Sequence, residues 1–294
     1  MVAEHPARSI LVIGSINEDV ILRVARLPHP GETLAAEELT RLPGGKGANQ
    51  AVAAARAGGR VRMLGRTGED PAAQRQLDAL RAAGVDVELV EQIAGTATGT
   101  AYITVDGDGE NVIVVDQGAN GRLGTAEVEA AETRIAEAAV LLAQLEVPVD
   151  CVARAVELAR GHGVRPVVTL SPAQPVPDTL LEGLDPLLVN EHEARFVLDA
   201  GDEPAADDVA ERLLGLGPRS VVITLGERGA IYADTEGVRR APAHPVDVVR
   251  DTTGAGDAFA GALAAALARG AGLPEAVDAG LAEGAAAVGR SGAR

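Results

Sequence analysis

The chain of 294 residues has no tryptophan, two tyrosines and two phenylalanines. Its core must therefore come from Val, Leu, Ile and Ala, which suffice because 47% of the residues are hydrophobic. The same shortage argues against stacking platforms for single-stranded nucleic acid. A single cysteine, Cys151, rules out an intrachain disulfide and a cysteine-based metal site. Five scattered histidines, with no His-x-x-x-His pair, argue against zinc. Basic residues are also few: 26 Lys and Arg against 43 Asp and Glu leave a net charge of −17. Such a chain repels nucleic acid and anionic lipid, and an anionic substrate needs a locally organised site. No 18 consecutive residues are apolar, and MVAEHPARSI carries no leader-like run. The expectation is a cytoplasmic protein that engages neither nucleic acid nor membrane.

Several motifs are missing as well. No Gly-Lys-Ser/Thr follows the glycines of TTGAGD, so there is no Walker A loop. The first apolar run ends in GSIN without Gly-x-Gly-x-x-Gly, and no Gly-x-Ser-x-Gly elbow occurs. DGDGEN opens like a calcium loop, but Asn111 and Gln117 stand at the sixth and twelfth positions, which excludes an EF-hand.

What remains is a rhythm. SILVIGS, RVRML, AVLLAQLE, RPVVTLS, PLLVN and SVVITLG read as buried strands. Between them, KGANQAVAAARAGG, PAAQRQLDALRAAG, DCVARAVELARGHG and DDVAERLLGLG read as helices, several stopped by Gly. Alternating strands and helices predict an α/β fold with a mostly parallel sheet and helices on both faces. Two β-rich insertions, about 18–43 and 96–120, break the rhythm. The second reads as a hairpin around a Gly/Asp turn. The pair forms either a small separate sheet acting as a lid or two edge hairpins with no moving part.

Polar residues gather at predicted strand ends, where open α/β sheets bind ligands. Asn17 and Asp19 follow the first strand and suit a polyhydroxylated ligand, or a plain turn. PGGKGANQA brings Gly45, Lys46 and Asn49 to the start of a helix, as a ligand loop or a flexible turn. Asn190 and Glu193 are spaced either for water-mediated Mg²⁺ or for a capping box. In DTTGAGDAFAGAL, glycines and a helix start make an anion site. Asp257 there is either a helix N-cap or a catalytic base.

Together, PGGKGANQAVAAARAGG and DTTGAGDAFAGAL resemble the two signatures of the ribokinase (PfkB) family of carbohydrate and nucleoside kinases. GSINEDV, LPHPGET, GENVIVVDQGAN and LLAQLEVP are similar to segments of its ribokinase branch, in the same order across nearly the whole chain. The resemblance implies one ribokinase-like three-layer α/β/α domain over 1–294, with the insertions as a β-sheet lid that pairs subunits into a homodimer. It implies ATP-dependent phosphorylation of D-ribose at O5. Asp257 would be the base, kept ionised by the positive helix end, and the backbone of Gly254, Ala255, Gly256 and Asp257 the anion hole. Asn17, Asp19, Gly45, Lys46, Asn49 and Glu146 would hold the sugar. Asn190, Thr224, Gly226, Gly229 and Gly256 would face the nucleotide, with Glu193 on Mg²⁺ through water. Asp251, Thr253, Ala287, Arg290 and Gly292 would form a K⁺ site. Alternatives are a kinase of deoxyribose, fructose or adenosine, or a catalytically weak sugar-binding regulator. The sequence departs from the branch in three places. Ser171 replaces an Asn, with a small expected effect. Leu281 replaces a His near the adenine, so more apolar base contacts are expected. The sequence ends at GRSGAR, before a Ser that helps bind K⁺ in relatives, so the expectation is either a weaker K⁺ dependence or a shortened form of the gene product.

Overall fold

The protein is described by a computed structural model covering residues 9–199 and 206–290. The strands are β1 (Ser9–Ile13), β2 (Asn17–Arg23), β3 (Glu38–Gly44), β4 (Arg60–Gly68), β5 (Asp86–Ile93), β6 (Gly99–Val105), β7 (Asn111–Asp116), β8 (Ala138–Ala143), β9 (Arg165–Thr169), β10 (Leu187–Asn190), β11 (Val221–Thr224), β12 (Ala230–Asp234) and β13 (Gly237–Ala241). Nine of them form one sheet in the order β13-β12-β11-β10-β9-β8-β1-β4-β5. From β5 through β11 all neighbours are parallel. β12 and β13 add an antiparallel hairpin at one edge, which the helix-strand rhythm did not announce.

The apolar runs work because both faces of the sheet are covered. Leu11, Ile13, Leu141 and Ala143 face one buried cluster, which includes the helix Val149–Gly161. Their neighbours Ile10, Val12, Val140 and Leu142 face the other, with the helices Lys46–Arg56, Ala255–Ala268 and Leu273–Val288. Successive strand residues point to opposite faces, so a continuous apolar run is what a doubly covered strand requires. Each fully buried Leu or Ile contributes roughly 2 kcal/mol.

β1 lies between β8 and β4, the point from which the sheet grows in both directions. In open α/β sheets, a crevice for ligands opens there at the strands' carboxyl ends. The chain leaves β1 at Gly14 and passes into β2, the start of a four-stranded sheet ordered β3-β2-β6-β7. β2 pairs antiparallel with β3 and parallel with β6, and β6–β7 is the expected hairpin. The insertions thus build a separate small sheet rather than edge hairpins. All six residues of β7 are exposed, with Val112, Ile113, Val114 and Val115 among them. Among the described residues, no helix is long and apolar enough to cross a membrane.

Glu18 ties the small sheet to the rest. It is buried, and its carboxylate accepts from Arg41 of β3 at 2.6 Å and from Nε of Arg75 at 2.8 Å. Arg75 lies on the helix Pro71–Ala82, outside the small sheet. Both arginines are half exposed, so the pairs guide geometry more than they add stability. Arg75→Ala is expected to speed amide exchange in β2 and β3 while β1 stays protected. Unchanged exchange in β2 and β3 would show that the pair does not hold the sheet.

Candidate active site

The helix Ala255–Ala268 is buried along nearly its whole length and carries one acidic residue. A helix apolar all round belongs inside a protein, so its polar start stands out. Gly254 is the N-cap, at φ 78° in the left-handed region that favours Gly. No side chain caps the helix, so its opening amides keep their anion-binding character. The Ala255 amide is partly engaged, donating to the Thr252 carbonyl at 3.3 Å.

Asp257 is therefore the third residue of the helix and not its N-cap, which removes one of the two sequence readings. Its carboxylate turns to the neighbouring helix instead. Oδ2 accepts from Asn49 Nδ2 at 3.1 Å, and Oδ1 accepts from Gln50 Nε2 at 3.0 Å. Gly261 permits this approach one turn further on. A Cβ there would lie 2.5 Å from Ala53 Cβ and 2.6 Å from the Gln50 carbonyl oxygen.

Burial pushes the Asp257 pKa up from its ordinary value. Lys46, then Gln50 and Asn49, pull it back, and Glu146 adds a smaller upward push. Burial thus acts against the ionised form that the resemblance assigns to Asp257, and the nearby cation and the two amide donors act for it.

The sugar-side candidates meet at the ends of β1 and β8. Glu146 accepts from Ser15 Oγ at 2.5 Å and from the Lys46 amide at 3.0 Å. Ser15 Oγ in turn accepts from the Gly47 amide at 3.2 Å. Gly45, at φ 90°, packs so tightly on the Asn17 backbone that a Cβ would come 2.7 Å from its nitrogen. The buried Asn17 accepts at Oδ1 from Asn120 Nδ2 at 2.6 Å, while Asn120 Oδ1 accepts from the Ile16 amide. The Asp19 carboxylate lies directly against Gly44.

The nucleotide-side candidates occupy the same sheet edge further along. Asn190 closes β10 and pairs in register with Thr224 of β11. Asn190 Oδ1 accepts from the Glu193 amide at 2.9 Å, and Glu193 Oε2 accepts from the Asn190 amide at 2.8 Å. The capping-box reading is thus realised. Gly226 and Gly229 flank a short turn at positive φ, closed by the Leu225 amide on the Gly229 carbonyl at 2.8 Å. Arg250 and Asp251 donate their amides to the Val288 carbonyl, which ties the segment before the Asp257 helix to the end of the helix that carries Ala287. Gly292 lies outside the described residues. A cavity of about 530 Å³ opens between 244–250 and the helix Leu273–Val288, lined by Val246, Val248, Arg250, Ala282, Ala285 and Ala286. Leu281, on that same helix, is buried in the core and does not line the cavity, so the small apolar cavity wall comes from the alanines. The Ser171 carbonyl accepts from the Leu145 amide, a backbone contact indifferent to its side chain. Among the described residues, no group of three or more His, Cys, Asp or Glu is placed to hold a metal.

Five residues escaped the sequence reading: Ser15, Gln50, Asn120, Gln144 and Thr169. All are buried. Their signal was a polar residue inside an apolar stretch, as in LLAQLE, because a buried polar group must find a partner.

Residues 7–294 match the model of the family described as pfkB family carbohydrate kinase. The chain is 39% identical over 281 residues to the ribokinase of Schizosaccharomyces pombe, spanning 92% of this chain and 88% of that one. It is 36% identical over 289 residues to the ribokinase of Haemophilus influenzae, spanning 98% and 94%. In three dimensions it is similar to the ribokinase of Arabidopsis thaliana, solved with ribose and ATP, at a TM-score of 0.89 and 29% identity, covering 98% and 94% of the two chains.

Proposed function

This chain belongs to the pfkB family of carbohydrate kinases, and we propose that within it the chain transfers the terminal phosphoryl group of ATP to O5 of D-ribose. The observation that carries this reading is the carboxylate of Asp257, buried at the opening of an uncapped helix and held on both oxygens by Asn49 and Gln50. Asp257 takes the proton of the 5-hydroxyl as the new O–P bond forms and the bond from phosphorus to ADP breaks. A weak base suffices, because the hydroxyl becomes acidic only as that bond forms. The backbone of Gly254, Ala255, Gly256 and Asp257 receives the migrating group with the helix's positive end. Such reactions proceed mainly by positioning and charge stabilisation.

Asn17, Asp19, Gly45, Lys46, Asn49 and Glu146 hold the sugar hydroxyls. Glu146 is shaped for this by Ser15 and the Lys46 amide, which occupy one oxygen. Asn190, Thr224, Gly226, Gly229 and Gly256 face ATP. The hard oxygens of Asn190 and Glu193 fit Mg²⁺ held through water, since an oxygen that accepts one amide keeps a second lone pair. The ion would neutralise phosphate charge. Asp251 with the carbonyls of Thr253, Ala287 and Arg290 fits a monovalent cation, because the Val288 carbonyl draws the two segments together. The small sheet acts as a lid that excludes water. Its exposed apolar β7 serves pairing with a second subunit.

The test is a panel of ribose, deoxyribose, fructose and adenosine with MgATP, each with and without K⁺. Ribose is expected to exceed deoxyribose by roughly 10-fold in kcat/KM, the worth of one hydrogen bond. Greater turnover of another member of the panel would reassign the substrate, and no turnover of any would sink the kinase reading.

A further inference from the structure

Asp257 does not end the hydrogen-bonded chain; it begins it. Gln50, in contact with Asp257 Oδ1, is itself held from behind. Its Nε2 gives a second hydrogen bond to Thr169 Oγ1 at 3.2 Å, and its Oε1 accepts from Gln144 Nε2 at 2.7 Å. Gln50, Gln144 and Thr169 are each more than nine-tenths buried. They come from three separate elements: the helix Lys46–Arg56, the residue after β8, and the end of β9.

A side-chain amide has two faces of opposite polarity. If the Gln50 amide turned over, its oxygen would face the Asp257 carboxylate and its NH₂ would face that of Gln144. Gln144 forbids this only while its own NH₂ points at Gln50. That direction leaves Gln144 Oε1 buried with no hydrogen-bond partner, packed against Gly14. An orphaned buried acceptor is costly, and the 2.7 Å hydrogen bond to Gln50 offsets that cost.

We propose that Gln144 is a positioning residue for the phosphoryl transfer: through the Gln50 amide, and with Thr169, it fixes a hydrogen-bond donor on Asp257. Gln144 touches neither the reacting atoms nor Asp257 in this chain of contacts. The inference rests on the base role proposed above. The charged groups acting on Asp257 besides this relay are Lys46, from the start of the neighbouring helix, and Glu146, from beyond β8.

Gln144→Glu tests it with almost no change of shape. A carboxylate at 144 only accepts, so it draws the Gln50 NH₂ toward itself and turns the Gln50 oxygen to Asp257. The expected result is a ~10- to 100-fold fall in kcat, the scale of one hydrogen bond to a charged group. KM for ATP should be unchanged, and the acid limb of the kcat profile should move to higher pH. Gln144→Met and Thr169→Val, which free the Gln50 amide to turn without forcing it, should give smaller falls of about 3- to 10-fold and the same direction of pH movement. They carry the test should the glutamate variant fail to fold. An unmoved acid limb in the folded variants, whatever happens to kcat, would overturn the proposal. The carboxyl ¹³C resonance of Asp257, identified as the one missing in Asp257→Asn, separates this inference from the assigned reaction. It should titrate at higher pH in the Gln144 variants than in the unaltered protein even if no sugar is turned over. An identical titration would sink the relay while leaving the kinase reading intact.

Discussion

Asp257→Asn is expected to lower kcat for ribose phosphorylation by ~10³-fold, within the range spanned by a positioned general base. Calorimetry should still detect ribose binding, because Asn17, Asp19, Lys46 and Glu146 are untouched. The substitution is nearly isosteric, but it removes the charge and sets an NH₂ group toward one of two donors, Asn49 or Gln50. The unaltered enzyme adds a pH signature. Burial raises the Asp257 pKa, and the base role proposed for it needs the ionised form. Activity should therefore fail, as pH drops, above the ordinary carboxylate range. The stability sign follows from the same shift. The native state binds this proton more tightly than the unfolded chain does. Asp257 thus favours folding most at low pH, and that contribution is lost as pH rises from the unfolded pKa through the raised native one. Full activity of Asp257→Asn would remove the base assignment.

Gly261→Val should be strongly destabilising. The helices Lys46–Arg56 and Ala255–Ala268 meet where a Cβ on residue 261 would lie 2.6 Å from both the Ala54 nitrogen and the Gln50 carbonyl oxygen. These are backbone atoms and cannot swing aside. Overpacking costs about 1–3 kcal/mol, more when the backbone must move. With on the order of 3 °C per kcal/mol for a chain of this size, a fall of several degrees or more in Tm is expected by calorimetry. Activity should fall further than stability, because separating the helices withdraws Asn49 and Gln50 from Asp257. A variant with unchanged Tm and kcat would show that the close crossing is not needed.

The parallel sheet was legible because strands covered on both faces must be apolar without interruption, as in SILVI and AVLLA. The β12–β13 hairpin was not, since AIYAD and GVRRA are short and carry charge at the sheet's edge. At the candidate site, Asn17, Lys46, Asn49 and Asp257 could be singled out because each sits at a strand end or helix start, and Glu146 because the chain resembles the family there. Gln50 and Gln144 could not. They lie nearly 100 residues apart, and their meaning arises only where a helix, two strand ends and Asp257 converge. The capping question at Asp257 was likewise a matter of one residue's register, decided by Gly254 taking the left-handed turn.

The scarcity of aromatic rings has an optical consequence. With no tryptophan, ultraviolet emission comes from two tyrosines, one on each sheet. Tyr232 of β12 is buried beneath the Arg239 guanidinium, 5.1 Å from the ring centre. Tyr102 of β6 stands 48% exposed on the small sheet. A water-borne quencher should therefore reach chiefly Tyr102, making the protein's own fluorescence a label-free gauge of whether that sheet is open, closed or pressed against another copy.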